Sequence, residues 1–326
     1  MATETRLSRD WLDRLDLPLI VAPMFLVSSV DMVVAACRNG AIGALPAANA
    51  RTPADLDLWL AALTRSLAEP RRDGRASAPW ALNVVVHRTN RNLPALLDLC
   101  VAYRAPLVIT ALGSPRVAVD PVHSYGGLVF ADVNSPDLAR KAVDAGVDGL
   151  VLIASGAGGH TGTMAAPAFV AAVRRFWAGP LVVAGGLSRG EHLRAAQAMG
   201  ADLAYMGTRF IAATESAAVS DYKRMVVESH FADIVATAAI TGALANKLRP
   251  SLVRAGLDPD DLKPRRFDLS NQDEDIKAWK DLWSAGHGVG EVTAIEPVAA
   301  IIERLRIEYR AAIAAERDDP WAGKSA

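Results

Sequence analysis

The chain has 326 residues, 51% of them hydrophobic, enough apolar material for one large core or two smaller ones. Its formal net charge is −1, with acids and bases interspersed and no Lys/Arg stripe carrying aromatics, which argues against a nucleic-acid partner. The two cysteines, Cys37 and Cys100, stand in apolar surroundings and argue against a disulfide framework or a cysteine-rich metal site.

The first 18 residues are charged and broken by proline, unlike a secretory leader, and no apolar run is long enough to span a bilayer. A cytoplasmic setting away from membranes is the expectation. From residue 17 onward, short runs of Val, Ile, Leu and Ala alternate with amphipathic segments. These runs cover residues 17–24, 41–47, 80–86, 107–112, 128–133, 149–155, 180–186 and 203–210. They are predominantly apolar rather than alternating, the pattern of strands buried on both faces. Helical segments follow start signals: Thr52-Pro53 before residues 54–67, Ser135-Pro136 before 137–145 and Ser188 before 189–199.

Eight βα repeats predict an α/β fold of the (β/α)8 TIM-barrel class, with an open doubly wound sheet as the alternative. The link at 113–126 is short and rich in Pro and Gly, so a turn is expected there instead of a helix. After residue 213 the repeat stops. Residues 214–295 then read as a helical lid inserted after the eighth strand, with a helix at 216–228 and a Pro-rich, acidic stretch at 249–261. Residues 296–326 read as a C-terminal helix returning to the barrel, with Val298, Ile301, Ile302, Leu305 and Tyr309 on one face, and then a frayed tail. The barrel domain is thus 1–213.

In such a barrel every strand end faces one site. That gathers Ala22-Pro23-Met24, Asn83, Asp132, the loop from Ser155 to Thr161, Ala184-Gly185-Gly186 and Met206-Gly207-Thr208. The loops after the seventh and eighth strands, AGG and MGT, suit a phosphate held by backbone N–H groups. In Ser155-Gly-Ala-Gly-Gly-His-Thr-Gly162, glycines let the backbone turn tightly and display His160, a side chain suited to acid–base work near neutral pH. By themselves these glycines also read as an ordinary turn with His160 capping the next helix. No P-loop, Rossmann fingerprint or metal-ligand cluster is present, so a mononucleotide fits better than a triphosphate or a tightly held NAD, and no metal is expected.

The segments VAPMFLVSS (21–29), ALNVVVH (81–87), SYGGLVFADV (124–133), AGVDGLVLIASGAGGHTG (145–162), AGGLSRGEHLRAAQAMGADLAYMGTRF (184–210) and SAGHGVG (284–290) resemble the nitronate monooxygenase family, in order and spacing, over residues 15–310. The resemblance implies an FMN-dependent barrel with an inserted domain over the flavin. It implies that the ring lies between Ala22, Pro23, Met24 and the GGH loop, with Asn83 at the ring and Gly185, Gly186, Gly207 and Thr208 at the phosphate. Asp132, Ala154, Gly158 and Gly159 complete the expected cofactor set. His87 and His287 are candidate substrate contacts, and His160 is the candidate catalytic residue. The chain departs from the family's pattern before the GGH, where it has Ala154-Ser155-Gly156. It departs also at Asp132-Val133-Asn134, where many relatives carry lysine, and at His287, where the family has glutamine.

The implied reaction is oxidation of an alkyl nitronate or nitroalkane by FMN and O2 to a carbonyl compound and nitrite. His160 would act as base, or as an imidazolium holding the nitronate oxygens. Two alternatives stay open: an NAD(P)H-dependent flavin reductase of quinones or enoyl thioesters, and a flavin-free phosphate-binding barrel. Homo-oligomerisation is left open as well.

Overall fold

Strands with no polar face are stable only where helices cover one side and a second apolar layer fills the other. The computed structural model, which describes residues 7–240, 242–264 and 280–317, meets that demand with a closed barrel. In chain order the strands are β1 (Leu19–Val21), β2 (Ile42–Pro46), β3 (Trp80–Val85), β4 (Leu107–Ala111), β5 (Leu128–Val133), β6 (Gly149–Ile153), β7 (Gly159–His160), β8 (Leu181–Ala184), β9 (Leu203–Met206), β10 (Ile234–Thr237) and β11 (Ala245–Leu248). The barrel order is β1-β2-β3-β4-β5-β6-β8-β9, all parallel, and β9 closes on β1 with Leu19 opposite Ala204 and Val21 opposite Met206.

The helices are α1 (Arg9–Arg14), α2 (Val30–Arg38), α3 (Pro53–Ala68), α4 (Leu93–Ala102), α5 (Arg116–His123), α6 (Pro136–Asp144), α7 (Ala166–Arg174), α8 (Gly190–Met199), α9 (Thr208–Ile211), α10 (Ser220–Glu228), α11 (Arg249–Arg254) and α12 (Val298–Arg317). Their starts follow the sequence signals. Thr52 and Asp55 form a reciprocal capping box on α3, and the Ser135 hydroxyl accepts from Leu138 N at the head of α6. Alternate strand residues divide the core. Ile20, Ile42, Leu107, Phe130, Val151 and Val182 fill the barrel, while their neighbours pack outward against the helices. Val298, Ile301, Ile302 and Leu305 of α12 are buried against that outer layer. Cys37 and Cys100 are buried and free, and burial pushes both thiols up to about 12, so neither is a nucleophile at neutral pH.

Three expectations are corrected. The link at 113–126 contains the helix α5, because Ala118, Val119 and Val122 lie on one buried face whose packing outweighs the proline at 121. The eighth apolar run does not remain a strand to Phe210: β9 stops at Met206, Gly207 caps the chain and Thr208–Ile211 is helical. The segment after 213 is not only helical, since β10, β11 and β7 form a three-stranded antiparallel sheet alongside α10 and α11. The tail from 318, read as frayed, lies outside the described residues. Among the described residues no helix is long and apolar enough to cross a membrane, and no His/Cys/Asp/Glu group has the arrangement of a metal site.

Candidate active site

The loop after β6 is shaped by what lies against it. Gly156 has φ +87°, and a methyl group built on it would fall 2.8 Å from His287 Nδ1, so the chain needs glycine there for both conformation and space. The Gly156 carbonyl accepts from His287 N at 2.9 Å and Gly186 N at 3.3 Å, drawing three loops together. A methyl built on Gly158 would lie 3.2 Å from Thr208 Oγ1, and the Thr208 hydroxyl accepts from Gly286 N at 2.8 Å. On the other side, a methyl on Gly207 would stand 3.3 Å from Met24 Sδ and 3.6 Å from Ala22 Cβ. One on Gly185 would be 3.3 Å from Ala154 Cβ.

Ala22, Met24, Ala154, Gly158, Gly185, Gly186, Gly207, Thr208 and His287 therefore form one cluster at the C-terminal mouth of the barrel. Pro23 is partly exposed between Ala22 and Met24. Asn83 lies within β3, two residues before its end, and its Nδ2 donates to Ile109 O at 3.1 Å. Asp132 lies on the inward face of β5, in step with Phe130. His87 is turned to its own loop: its Nδ1 is 2.8 Å from Thr89 Oγ1 and accepts from Thr89 N at 3.3 Å. His287 meets Phe231 edge-on, with ring centroids 4.9 Å apart.

Gly159 and His160 make up β7, a strand too short to stand without a partner. It pairs with β11, Gly159 opposite Asn246 and His160 opposite Ala245. Thr161 N donates to Leu244 O at 3.1 Å, and the Asn246 carboxamide donates to Ala157 O at 2.7 Å. Alternation along β11 puts Lys247 on the face that His160 and Ala245 share. Lys247 is fully buried, and its ammonium donates to Leu282 O at 3.1 Å. Burial lowers the Lys247 pKa to about 7. Burial, with the Lys247 charge adding to it, lowers His160 to about 4, so the imidazole is neutral at pH 7. Burial alone raises the Asp132 carboxyl to about 7.

Asn246, Lys247, Tyr205 and Phe231 escape a reading of the sequence. Asn246 and Lys247 lie in a four-residue strand without apolar alternation, and Tyr205 passes for core filling. Only an exposed aromatic followed closely by His287's loop in space, not in sequence, marks Phe231.

A family model described as nitronate monooxygenase matches residues 12–306. The chain belongs to the nitronate monooxygenase family. A relative named nitronate monooxygenase from Paraburkholderia phytofirmans is 26% identical over 92% of this chain and 94% of its own. The solved structure of nitroalkane oxidase from Streptomyces ansochromogenes is 25% identical, with a TM-score of 0.78 over 94% of this chain and 99% of that one. FabK from Thermotoga maritima, at 24% identity and a TM-score of 0.77 over 97% and 99% of the two chains, shares the fold. As a member of this family the protein is a flavin-dependent oxidoreductase.

The residues at the mouth fit such a cofactor. A methyl built on Gly186 would meet nothing nearer than His287 Cβ at 3.8 Å, so a ligand can reach that backbone. Asp132 Oδ1 and Tyr205 Oη are buried without a hydrogen-bond partner in a largely apolar barrel, placed to receive a polar ring.

Proposed function

We propose that the protein oxidises alkyl nitronates, and nitroalkanes once deprotonated, with FMN and O2, yielding a carbonyl compound and nitrite. Membership of the nitronate monooxygenase family supports oxidation of nitronates, and the neutral His160 on a strand pinned at the barrel mouth is the observation that carries the finer reading. FMN, when bound, supplies the electron-accepting chemistry and passes electrons to oxygen. Gly185, Gly186, Gly207 and Thr208 would hold its phosphate. Ala22, Pro23, Met24, Asn83, Ala154, Gly158 and Gly159 would line its ring.

His160 removes the α-proton of a neutral nitroalkane. A base must be unprotonated at the working pH, and burial beside Lys247 keeps the imidazole so. That same property argues against an imidazolium at His160 gripping nitronate oxygens. The β10–β11 hairpin holds the histidine strand in place and covers it.

His160→Asn tests the assignment. Turnover of neutral nitroalkane should fall by about 10²- to 10⁴-fold, the usual worth of a general base, while FMN stays bound and preformed nitronate is still oxidised. Unchanged nitroalkane turnover would end the base role. Anaerobic mixing separates the rival chemistry: rapid flavin bleaching by NADH or NADPH, and none by nitronate, would assign the chain to the reductases instead.

A further inference from the structure

Among the described residues the interior of the barrel is largely apolar, and Asn83, Asp132 and Tyr205 bring polar side chains to its inward faces; Asn83 is already held by Ile109 O. Asp132 follows Phe130 on the inward face of β5, opposite Val151 of β6. Tyr205 lies on the inward face of β9 between Ile20 of β1 and Ala184 of β8, and is only 7% exposed. The Asp132 Oδ1 and Tyr205 Oη atoms are both fully buried and lack a hydrogen-bond partner. Native proteins seldom leave such groups unpaired, so they mark a place where a polar ligand is received. The two groups feel each other: burial and the Asp132 charge together raise the Tyr205 phenol well above its ordinary value. Burial alone acts on Asp132, while the lid cation Lys247 acts on His160. The flanking positions Val151, Ile20 and Ala184 bring no charge.

We propose that Asp132 and Tyr205 form the polar floor of the flavin site, with Asp132 in its acid form donating a hydrogen bond to an acceptor atom of the isoalloxazine ring. The proposal rests on the flavin reading above. The ring presents several carbonyl and ring-nitrogen acceptors, which a carboxylate, itself only an acceptor, cannot serve; a carboxylic acid and a phenol can. Burial raises the free carboxyl to about 7, so it keeps its proton on the acid side of neutrality, and a bound acceptor holds the proton further. Flavin affinity then declines as pH rises past the point where Asp132 ionises in the free protein.

The test is flavin binding to the apoprotein, followed by fluorescence quenching across the neutral range, with riboflavin beside FMN because the FMN phosphate itself titrates there. Wild-type affinity for riboflavin should fall by up to about tenfold for each pH unit above the Asp132 pKa, the limit for one linked proton, and FMN should show the same decline with its phosphate titration superimposed. Asp132→Asn, whose amide still donates, should keep the affinity and lose the pH dependence of riboflavin binding; Asp132→Leu should bind about tenfold more weakly at acid pH, as expected for one lost charge-free hydrogen bond. Infrared spectra of the apoprotein at pH 6 should show a carboxylic acid band that Asp132→Asn removes, a readout that needs no flavin. An unchanged pH dependence in Asp132→Asn, or an infrared band that survives it, overturns this proposal alone. Wild-type protein that binds neither flavin overturns the flavin reading together with it.

Discussion

At neutral pH the His160 imidazole carries no positive charge, because burial and the Lys247 ammonium lower its pKa from 6.5 to about 4. The direction has two consequences. The unfolded chain takes up a proton at His160 near pH 6.5 and the folded chain does not until about 4, so this residue removes stability as pH falls through that window and has no effect above it. The catalytic consequence is the reverse of a handicap, since the base stays available in mildly acidic solution. With a neutral nitroalkane, the acid limb of kcat/KM should fall near pH 4 and the profile should be level at pH 5.5. Lys247→Met takes away a like charge and should move that limb upward toward the ordinary imidazole value. A wild-type limb near 6.5, or one that Lys247→Met leaves in place, would contradict this account of the site.

At the scale of elements, the short strand β7 owes its position to β11. Besides the backbone pairs, the Asn246 side chain, 1% exposed, ties the pair to Ala157 O. Asn246→Ala leaves that carbonyl without its donor and should cost about 1–3 kcal/mol, the usual penalty for an unsatisfied buried group. Amide exchange at His160 and Thr161 should quicken, and nitroalkane turnover should drop with it; exchange like that of the wild type would show that the backbone pairs suffice. The contrast between this sheet and the barrel explains what the sequence discloses. Barrel strands announce themselves because being buried on both faces forces apolar runs such as Leu181 to Ala184. The hairpin does not, because Ala245, Asn246 and Lys247 are chosen by their partners across the sheet and carry no period. Likewise the glycine loops and His160 are legible as a dense local motif, whereas Tyr205 becomes notable only once its hydroxyl is found buried and unpaired. The helix at Arg116–His123 was hidden by Pro121, a local penalty that tertiary packing overrides.

At the scale of the whole molecule, Asp16 joins parts of the chain that only the closed barrel brings together. Its carboxylate receives Arg71 and Arg75 from the loop before β3, at 2.6 Å for Arg75 Nη2, and Arg306 from α12 at 3.1 Å. Arg71 is 8% exposed and stands at the inner side of the cluster, while the Arg75 side chain, 45% exposed, closes it toward solvent. Burial by itself would raise the Asp16 carboxyl, but hydrogen bonds and charge from Arg71 and Arg75 outweigh it and hold the group below its ordinary value of 3.8. A lowered folded-state pKa adds stability at every pH above the unfolded value and loses it as acid protonates the folded carboxylate. Asp16→Ala would take from the buried Arg71 its nearest carboxylate and leave it Asp73 at 3.4 Å, so stability should fall, by less than the ~3–5 kcal/mol of a fully buried broken pair. The Tm gap between wild type and variant should be large at pH 7 and should narrow below about pH 4, where the wild-type carboxylate too begins to protonate. A gap that stays constant into acid would mean that Asp16 acts through packing against Gly40, where a methyl built on the glycine would lie 2.5 Å from Asp16 Cγ, and not through its charge.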